Sequence, residues 1–474
     1  MVHAMSGTLE QLLEDVDGAA DEIAGLLAEL VRFPTVNFGD GHAGVGGAPN
    51  GNETPCAVYL RDRLASKGIA GAVYESAPSR GTLIARLPGD ARHPDWRLTD
   101  PSLLFMSHLD VVPVEDPERW PYPPFDGVIT DGLVYGRGSH DAKSLAACEA
   151  VVMLLLRRRR VTLNGDLVLL AAADEESGGR FGAGWVAEQP NLAAQVRCTV
   201  ALNEGGGGAV HSPKGLAFGY ATGEKGRLEV RVHVTGKSGH ASAPWRAENA
   251  LERAGIVLAR LRAYEPRLDV SHPLFTSLME RYSLSAPVTP ETLPDVISRI
   301  EGEYPSVADG LRAASRLTLV PTMLAAGIKS NSIPAACTVI CDSRTLPHQD
   351  VAYVQAEVER LLADLPWARV EIDTTAVSNA SDYDHPFRAP ALDALRLALR
   401  RPDVELVPAI CGGFTDSRFL RPFGVQVYDF MPLHPEAESR DTGVHGTNER
   451  IEVAGLVART RFLMAAACLY LGIA

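Results

Sequence analysis

Short runs of consecutive apolar residues, each ending in a polar cluster, set the pattern of the first half of the chain. Leu103-Leu-Phe-Met-Ser107 is one such run, and residues 166–173 and 198–202 are two more. Strands buried on both faces carry such unbroken runs, so these predict a parallel sheet. Helical spacing surrounds them. Leu12, Val16, Ile23, Leu26, Leu27, Leu30 and Val31 predict one helix over 9–32, stopped by Pro34. A second helix is predicted over 55–67, and a third begins near Leu145 and closes on Arg157–Arg160, cations suited to a helix C-terminus. The glycine-rich stretch 37–52 has no periodicity and reads as a loop.

After Gly215 the period changes. Leu228-Glu-Val-Arg-Val-His-Val-Thr235 alternates, as a half-exposed antiparallel strand does. A helix over 248–261, an irregular stretch over 264–315, strands over 317–325 and 333–343, a helix over 351–365 and a strand over 368–374 complete a βαββαβ-like unit. The α/β pattern returns near 378. The expected architecture is α/β: a mixed, mostly parallel sheet with helices on both faces, interrupted by an inserted α+β domain. The expected boundaries are 1–215 and 378–474 for the split domain and 216–377 for the insertion.

A formal net charge of -14 argues against non-specific binding to nucleic acid or to an anionic membrane. The first 22 residues carry six acidic side chains and no apolar core of a signal peptide, and a membrane span is not expected. Seven scattered cysteines fit a reducing cytoplasm, with Cys337 and Cys341 read as small core residues on one face of a strand. The expectation is a cytoplasmic protein.

Candidate chemistry gathers where the buried strands end. Tyr135-Gly-Arg-Gly-Ser-His-Asp-Ala-Lys-Ser144 delivers Asp141 at or near a helix start, which alone reads as an N-cap. Ser107-His-Leu-Asp110, Asp174-Glu-Glu-Ser-Gly178 and Asn203-Glu-Gly205 each follow a predicted strand, and His445 lies in Thr442-Gly-Val-His-Gly-Thr-Asn-Glu449. Open α/β sheets bind ligands at such strand ends. Hydrolytic metal sites use His nitrogens and carboxylate oxygens, and a paired site needs a carboxylate to bridge. His108, Asp141, Glu176, Glu204 and His445 provide such a set. Two adjacent buried carboxylates repel unless a cation neutralises one, so Glu175-Glu176 can divide into a ligand and a general base. Asp110 is spaced to accept the other ring N–H of His108. The run Gly205–Gly208 lacks the lysine and the order of a phosphate cradle.

These motifs, in this order over about residues 100–450, resemble the family of aminoacylases, acetylornithine deacetylases, succinyl-diaminopimelate desuccinylases and glutamate carboxypeptidases, which are co-catalytic zinc metallopeptidases. The resemblance implies a catalytic domain with an inserted ferredoxin-like lid that also serves dimerisation. It implies two Zn2+ per chain, with Co2+ or Mn2+ as substitutes, held by His108, Asp141 (bridging), Glu176, Glu204 and His445. It makes Glu175 the general base for a hydroxide held between the metals and Asp110 the orienter of His108. Gly236-Lys-Ser-Gly-His-Ala-Ser242 resembles the lid motif, so His240 is implied as oxyanion stabiliser, acting in its own subunit or in a partner's. Asn331, Arg344, Gly413 and Thr415 fall where the family contacts substrate; for Arg344 a strand-end ion pair with Asp342 is the competing reading. The implied substrate is a small N-acyl amino acid or short peptide, in a possible homodimer, with no nucleic acid or membrane partner. A dipeptidase or carboxypeptidase is the alternative, and an inactive metal-binding relative is disfavoured by the complete residue set. Glu rather than Asp at position 204 leans toward deacylases and carboxypeptidases over aminopeptidases. Ser144 for Gly, Asn203 for Asp and Phe414 for Thr or Ser depart from the family pattern.

Overall fold

A computed structural model describes residues 2–39, 50–90, 101–435 and 442–473. Most of the loop expected over 37–52 lies outside them. The chain forms two compact units, Met1–Thr222 with Ser381–Ala409 and Thr415–Ala474, and Gly223–Ala380 with Ile410–Phe414.

The first unit is built on a mixed sheet. Its four central strands, Leu167–Ala172, Leu103–His108, Val200–Asn203 and Gln426–Asp429, are neighbours in that order and run parallel. Antiparallel strands flank them, Gly81–Leu87 on one side and Gly215–Glu224 on the other, so the sheet is parallel only at its centre. Both faces are covered. Leu103, Phe105, Leu169 and Leu202 pack with the long helices Ala20–Val31, Lys143–Arg159 and Val453–Leu471, while Leu104, Met106, Leu170 and Ala201 pack with Val186, Leu192 and Leu420 on the other face. Burial on both sides is why these strands carry unbroken apolar runs. Parallel direction then sets every carboxyl end on one edge of the sheet, where His108, Asp174, Asn203 and Asp429 lie.

The single helix expected over 9–32 is two helices, Val2–Gly18 and Ala20–Val31. The break follows Gly18, a poor helix former, and the Ala19 N–H turns back to Val16 O. The helix Val453–Leu471 is long and apolar enough to cross a membrane, with mean hydropathy 1.4, but 72% of that window is buried. It is a core helix of this unit.

The second unit has a four-stranded antiparallel sheet ordered Thr318–Ala326, Ala336–Thr345, Gly226–Thr235, Ala368–Ala376. Val230, Val232, Val339 and Cys341 face the helices Ala250–Arg262 and Val351–Leu361. Chain order is βαββαβ, as expected. The stretch over 264–315 is not irregular. It folds into three short helices, Pro273–Arg281, Leu293–Glu301 and Pro305–Ala314, around Phe275, Leu278, Ile297, Ile300 and Leu311. Each has Pro in its first turn, a favoured start that interrupts a periodic reading of the sequence. All seven cysteines are free, and Cys337 and Cys341 are buried in the second unit's core.

Candidate metal centre

Two triads of side chains meet at the carboxyl edge of the first unit's sheet, and Asp141 belongs to both. His108 Nε2 lies 3.1 Å from Asp141 Oδ1 and 3.3 Å from Glu204 Oε1. His445 Nε2 lies 3.2 Å from Asp141 Oδ2 and 3.2 Å from Glu176 Oε2. Within each triad the donor atoms fall inside 4.8 Å of one another. The two oxygens of one carboxylate therefore face two different imidazoles. Imidazole nitrogen and carboxylate oxygen form the donor chemistry of Zn, Mn and Co sites, and three protein donors leave a position open for a reactant. The residues fit a pair of divalent cations.

Each triad member is positioned by its backbone. His108 is the last residue of its strand, and its Nδ1 lies 3.0 Å from the Asp110 carbonyl oxygen, with the Asp110 carboxylate farther, at 3.4 Å. The carboxylate is engaged elsewhere. It accepts the Glu175 N–H at 3.0 Å, the Glu176 N–H at 3.1 Å and the Asn37 side-chain amide at 2.9 Å. Asp110 thus fixes the acidic turn as well as the imidazole. Asp174 enters that turn with φ of 71°, and its carboxylate accepts from Arg80, Asn37 and the Phe181 N–H. Arg80 in turn pairs with buried Glu53 at 2.8 Å.

The turn that carries Asp141 is held in the same manner by Glu449. Its carboxylate accepts the N–H groups of Gly138, His140 and Asp141 at 2.9–3.0 Å and pairs with Arg137 at 2.7 Å. Asp141 is therefore not an N-cap; the helix Lys143–Arg159 starts after it, without a side-chain cap. The Asp141–Ala142 peptide bond is cis. Beneath the site, the Ser144 hydroxyl donates to His140 O and accepts from buried Arg459, so the serine at this position has a structural part.

Negative charge is in excess here. Burial, reinforced by the neighbouring Glu204 charge, raises the Glu175 carboxyl well above its ordinary range. Burial likewise pushes Glu176 up to about 7 and raises Glu204. Burial would also raise Asp141, but hydrogen bonds from His108 and His445 outweigh it and hold the carboxyl well below the usual carboxylate range. His445, bonded to Asp141 and Glu176, is raised to about 10, and His108 rises against its own burial through Glu204, Asp110 and Asp141. A site that raises most of its acids and both of its bases calls for added positive charge.

The remaining expected site residues divide between the units. Thr415 is buried in the first, where its hydroxyl accepts from Asn203 at 3.0 Å and donates to Ser417 at 2.9 Å; asparagine at position 203 is thereby tied into this network. In the second unit, His240 and Asn331 are exposed neighbours: Ala241 N–H donates to Asn331 O at 3.1 Å, and His240 Nδ1 accepts from the Ser242 hydroxyl at 2.8 Å. Arg344 forms an ion pair with Asp342 at 2.7 Å. Gly413 has open space where a Cβ would stand. Sequence reasoning missed Glu449 and Arg137, although both stand inside motifs it singled out. It also missed Asn37, Glu53 and Arg80, which no local motif marks.

Residues 104–468 match peptidase family M20/M25/M40. The chain belongs to that family. Family M20 members are metal-dependent, and the chain is a hydrolase of amide bonds. Among relatives, the human N-fatty-acyl-amino acid synthase/hydrolase PM20D1 is 28% identical over 391 residues, covering 77% of this chain and 74% of its own. Mouse aminoacylase-1 is 26% identical over 410 residues, covering 85% and 86%. The solved structure of the M20 metallo-carboxypeptidase Sso-CP2 from Sulfolobus solfataricus superposes with a TM-score of 0.67 at 16% identity, covering 95% of this chain and 99% of that one. That likeness concerns the fold.

Proposed function

We propose that this M20 hydrolase cleaves the amide of a small N-acyl amino acid with two divalent cations, zinc in the native protein, held by the two triads. The observation that carries this reading is Asp141, whose two oxygens each face a separate His–carboxylate pair. Bound there, such cations supply Lewis acidity to the substrate carbonyl and to the attacking water. Asp141 would be shared by both cations, with His108 and Glu204 holding one and Glu176 and His445 the other. Glu175, a member of the same acidic turn but of neither triad, takes the proton of the attacking water on a carboxylate oxygen. As the carbon–nitrogen bond breaks, it passes that proton to the leaving nitrogen. Asp110 and Glu449 hold the two turns so that neither moves as charge shifts. His240 donates to the carbonyl oxygen as negative charge develops on it, from its own subunit or from a partner's in a homodimer. Asn331, Arg344 and the backbone at Gly413 contact the substrate.

The names of PM20D1 and aminoacylase-1 favour N-acyl amino acids; the name of Sso-CP2 favours a carboxypeptidase. The test is amine release from N-acyl amino acids and dipeptides by zinc-loaded protein. Cleavage of N-acyl amino acids well above dipeptides is expected. Preferential dipeptide cleavage would move the assignment to a peptidase, and no cleavage by protein holding two metals would end the catalytic reading.

A further inference from the structure

One end of the second unit's sheet carries a group of cations on its outward face. Register places Arg227 opposite Arg344 and Arg344 opposite Thr318. Leu228, Leu317, Leu319 and Cys341 point into that unit's core, so alternation turns Arg227, Thr318 and Arg344 the other way. The alternation extends back past the strand: Ser315 and Leu317 are buried, while Arg316 between them is half-buried like Thr318. Lys225 lies two residues before Arg227.

These cations differ in what they already hold. Arg344 donates from Nε and Nη2 to the two oxygens of Asp342 at 2.7 and 3.3 Å, and Arg227 Nε donates to the same carboxylate at 3.0 Å. Buried Lys225 gives its ammonium to Ala313 O at 2.7 Å and to Arg316 O at 2.9 Å. Burial, reinforced by the Arg344 and Arg316 charges, lowers that ammonium to about 8. Neighbouring Arg312 is paired with Glu301 and Asp309. Arg316 differs from them. Its Nε donates to the Ser315 hydroxyl at 3.3 Å, and among the described residues its two terminal nitrogens have no partner. A half-buried guanidinium among like charges gains from a bound anion.

The same contacts set Arg316 beside the loop proposed to meet the substrate. The Lys225 N–H donates to Cys411 O at 3.0 Å, directly before Gly412 and Gly413. Ile410 packs against the three-helix cluster around Phe275, and Ile410–Phe414 belong to the second unit. The segment over 264–315 therefore backs this loop and delivers Arg316 at its own end. Lys225 joins the two by one hydrogen bond to each backbone.

We infer that Arg316 binds the carboxylate of the substrate's amino acid half, while Arg344 stays with Asp342. This rests on the hydrolase reading above and on its placing of the Gly413 loop. A planar guanidinium with both terminal nitrogens open takes a carboxylate through two parallel hydrogen bonds, whereas the fork of Arg344 is already filled. A free carboxylate is then what the second unit selects, and the helical insertion is the element that supplies its receptor.

The test compares N-acetylmethionine with its carboxamide, using zinc-loaded full-length protein and amine release from the acylated nitrogen. The parent should cleave the acid at least about tenfold better, the worth of hydrogen bonds to a charged group. Arg316→Met should remove most of that preference through a raised KM, with metal content and melting temperature at the parent's values. Arg316→Lys should keep part of it, and Arg344→Met should lower it less than Arg316→Met does. Equal cleavage of acid and carboxamide by the parent would overturn the inference and leave the hydrolase reading intact. So would a preference that survives Arg316→Met, whether or not Arg344→Met abolishes it. If neither compound is cleaved, calorimetric titration of the same protein with N-acetylmethionine decides the subsite separately from the chemistry. Binding weakened at least about tenfold by Arg316→Met would support it, and equal or absent binding would overturn it.

Discussion

The acidic turns of the first unit and the His240 loop of the second are organised in opposite ways. Each of the two turns bearing clustered carboxylates is gripped by a further buried carboxylate that collects successive backbone N–H groups. Glu449 does this for Asp141, and Asp110 does it for Glu175 and Glu176. His240 and Asn331 are exposed, on a two-residue strand pairing, and the His240 ring is held only from its own loop, by the N–H and hydroxyl of Ser242. Donor atoms that must converge before any substrate arrives need a fixed frame, because a small misplacement costs affinity. A residue that meets a substrate from solvent needs only a local anchor. Preorganisation is thus concentrated in one unit.

Four experiments break or sharpen that contrast. The largest effect is expected from Glu175→Gln, which keeps the turn and its backbone hydrogen bonds but removes the carboxylate proposed to carry the proton. Turnover should fall by roughly 10^2–10^4 with two metals retained by elemental analysis, and substantial residual turnover would remove the base assignment. His240→Ala should lower kcat by about 10^2–10^3 while metal content and melting temperature stay at the parent's values. If it instead lowers metal content, the exposed residue belongs to the rigid frame and the contrast fails.

Glu449→Gln touches no donor atom but replaces the carboxylate that grips the Asp141 turn. Metal affinity, read by competition with a chelator, should weaken roughly 10–100-fold. Unchanged affinity would show that the turn holds itself. The smallest effect concerns the second unit's helical insertion, where His272 Nδ1 accepts the Leu274 N–H at the start of Pro273–Arg281. Burial lowers this imidazole from 6.5 to about 4, so the folded state favours the neutral ring. Its contribution is complete above pH 6.5 and declines as pH falls from there toward 4. His272→Asn, which keeps a capping acceptor, should flatten that part of the melting temperature's pH dependence. An unaltered profile would place the titration elsewhere.

How legible the molecule was in its sequence follows from the range of the forces involved. His108, Glu176 and Glu204 could be read because an unbroken apolar run ends beside each, and a parallel sheet brings those ends together. Asp141 and His445 stood out through glycine-rich turns. The partners that hold these turns were harder to see. Asn37, Glu53 and Arg80 come from segments without a motif, and only the folded chain brings them to Asp174. The helices over 273–314 were hidden by their own starts, since proline reads as a breaker until its place in a first turn is known. The exchange of orienting roles within Asp110, carbonyl to imidazole and carboxylate to the acidic turn, depends on side-chain direction that spacing does not encode.

The grip of Glu449 on the Asp141 turn joins positions 308 residues apart. During synthesis, the segment 135–144 therefore leaves the ribosome long before its acceptor exists. Until residue 449 is made, the N–H groups of Gly138, His140 and Asp141 have only water or transient partners. The order of translation thus delays completion of the frame, and the nascent chain passes through most of its length with the central turn unsecured.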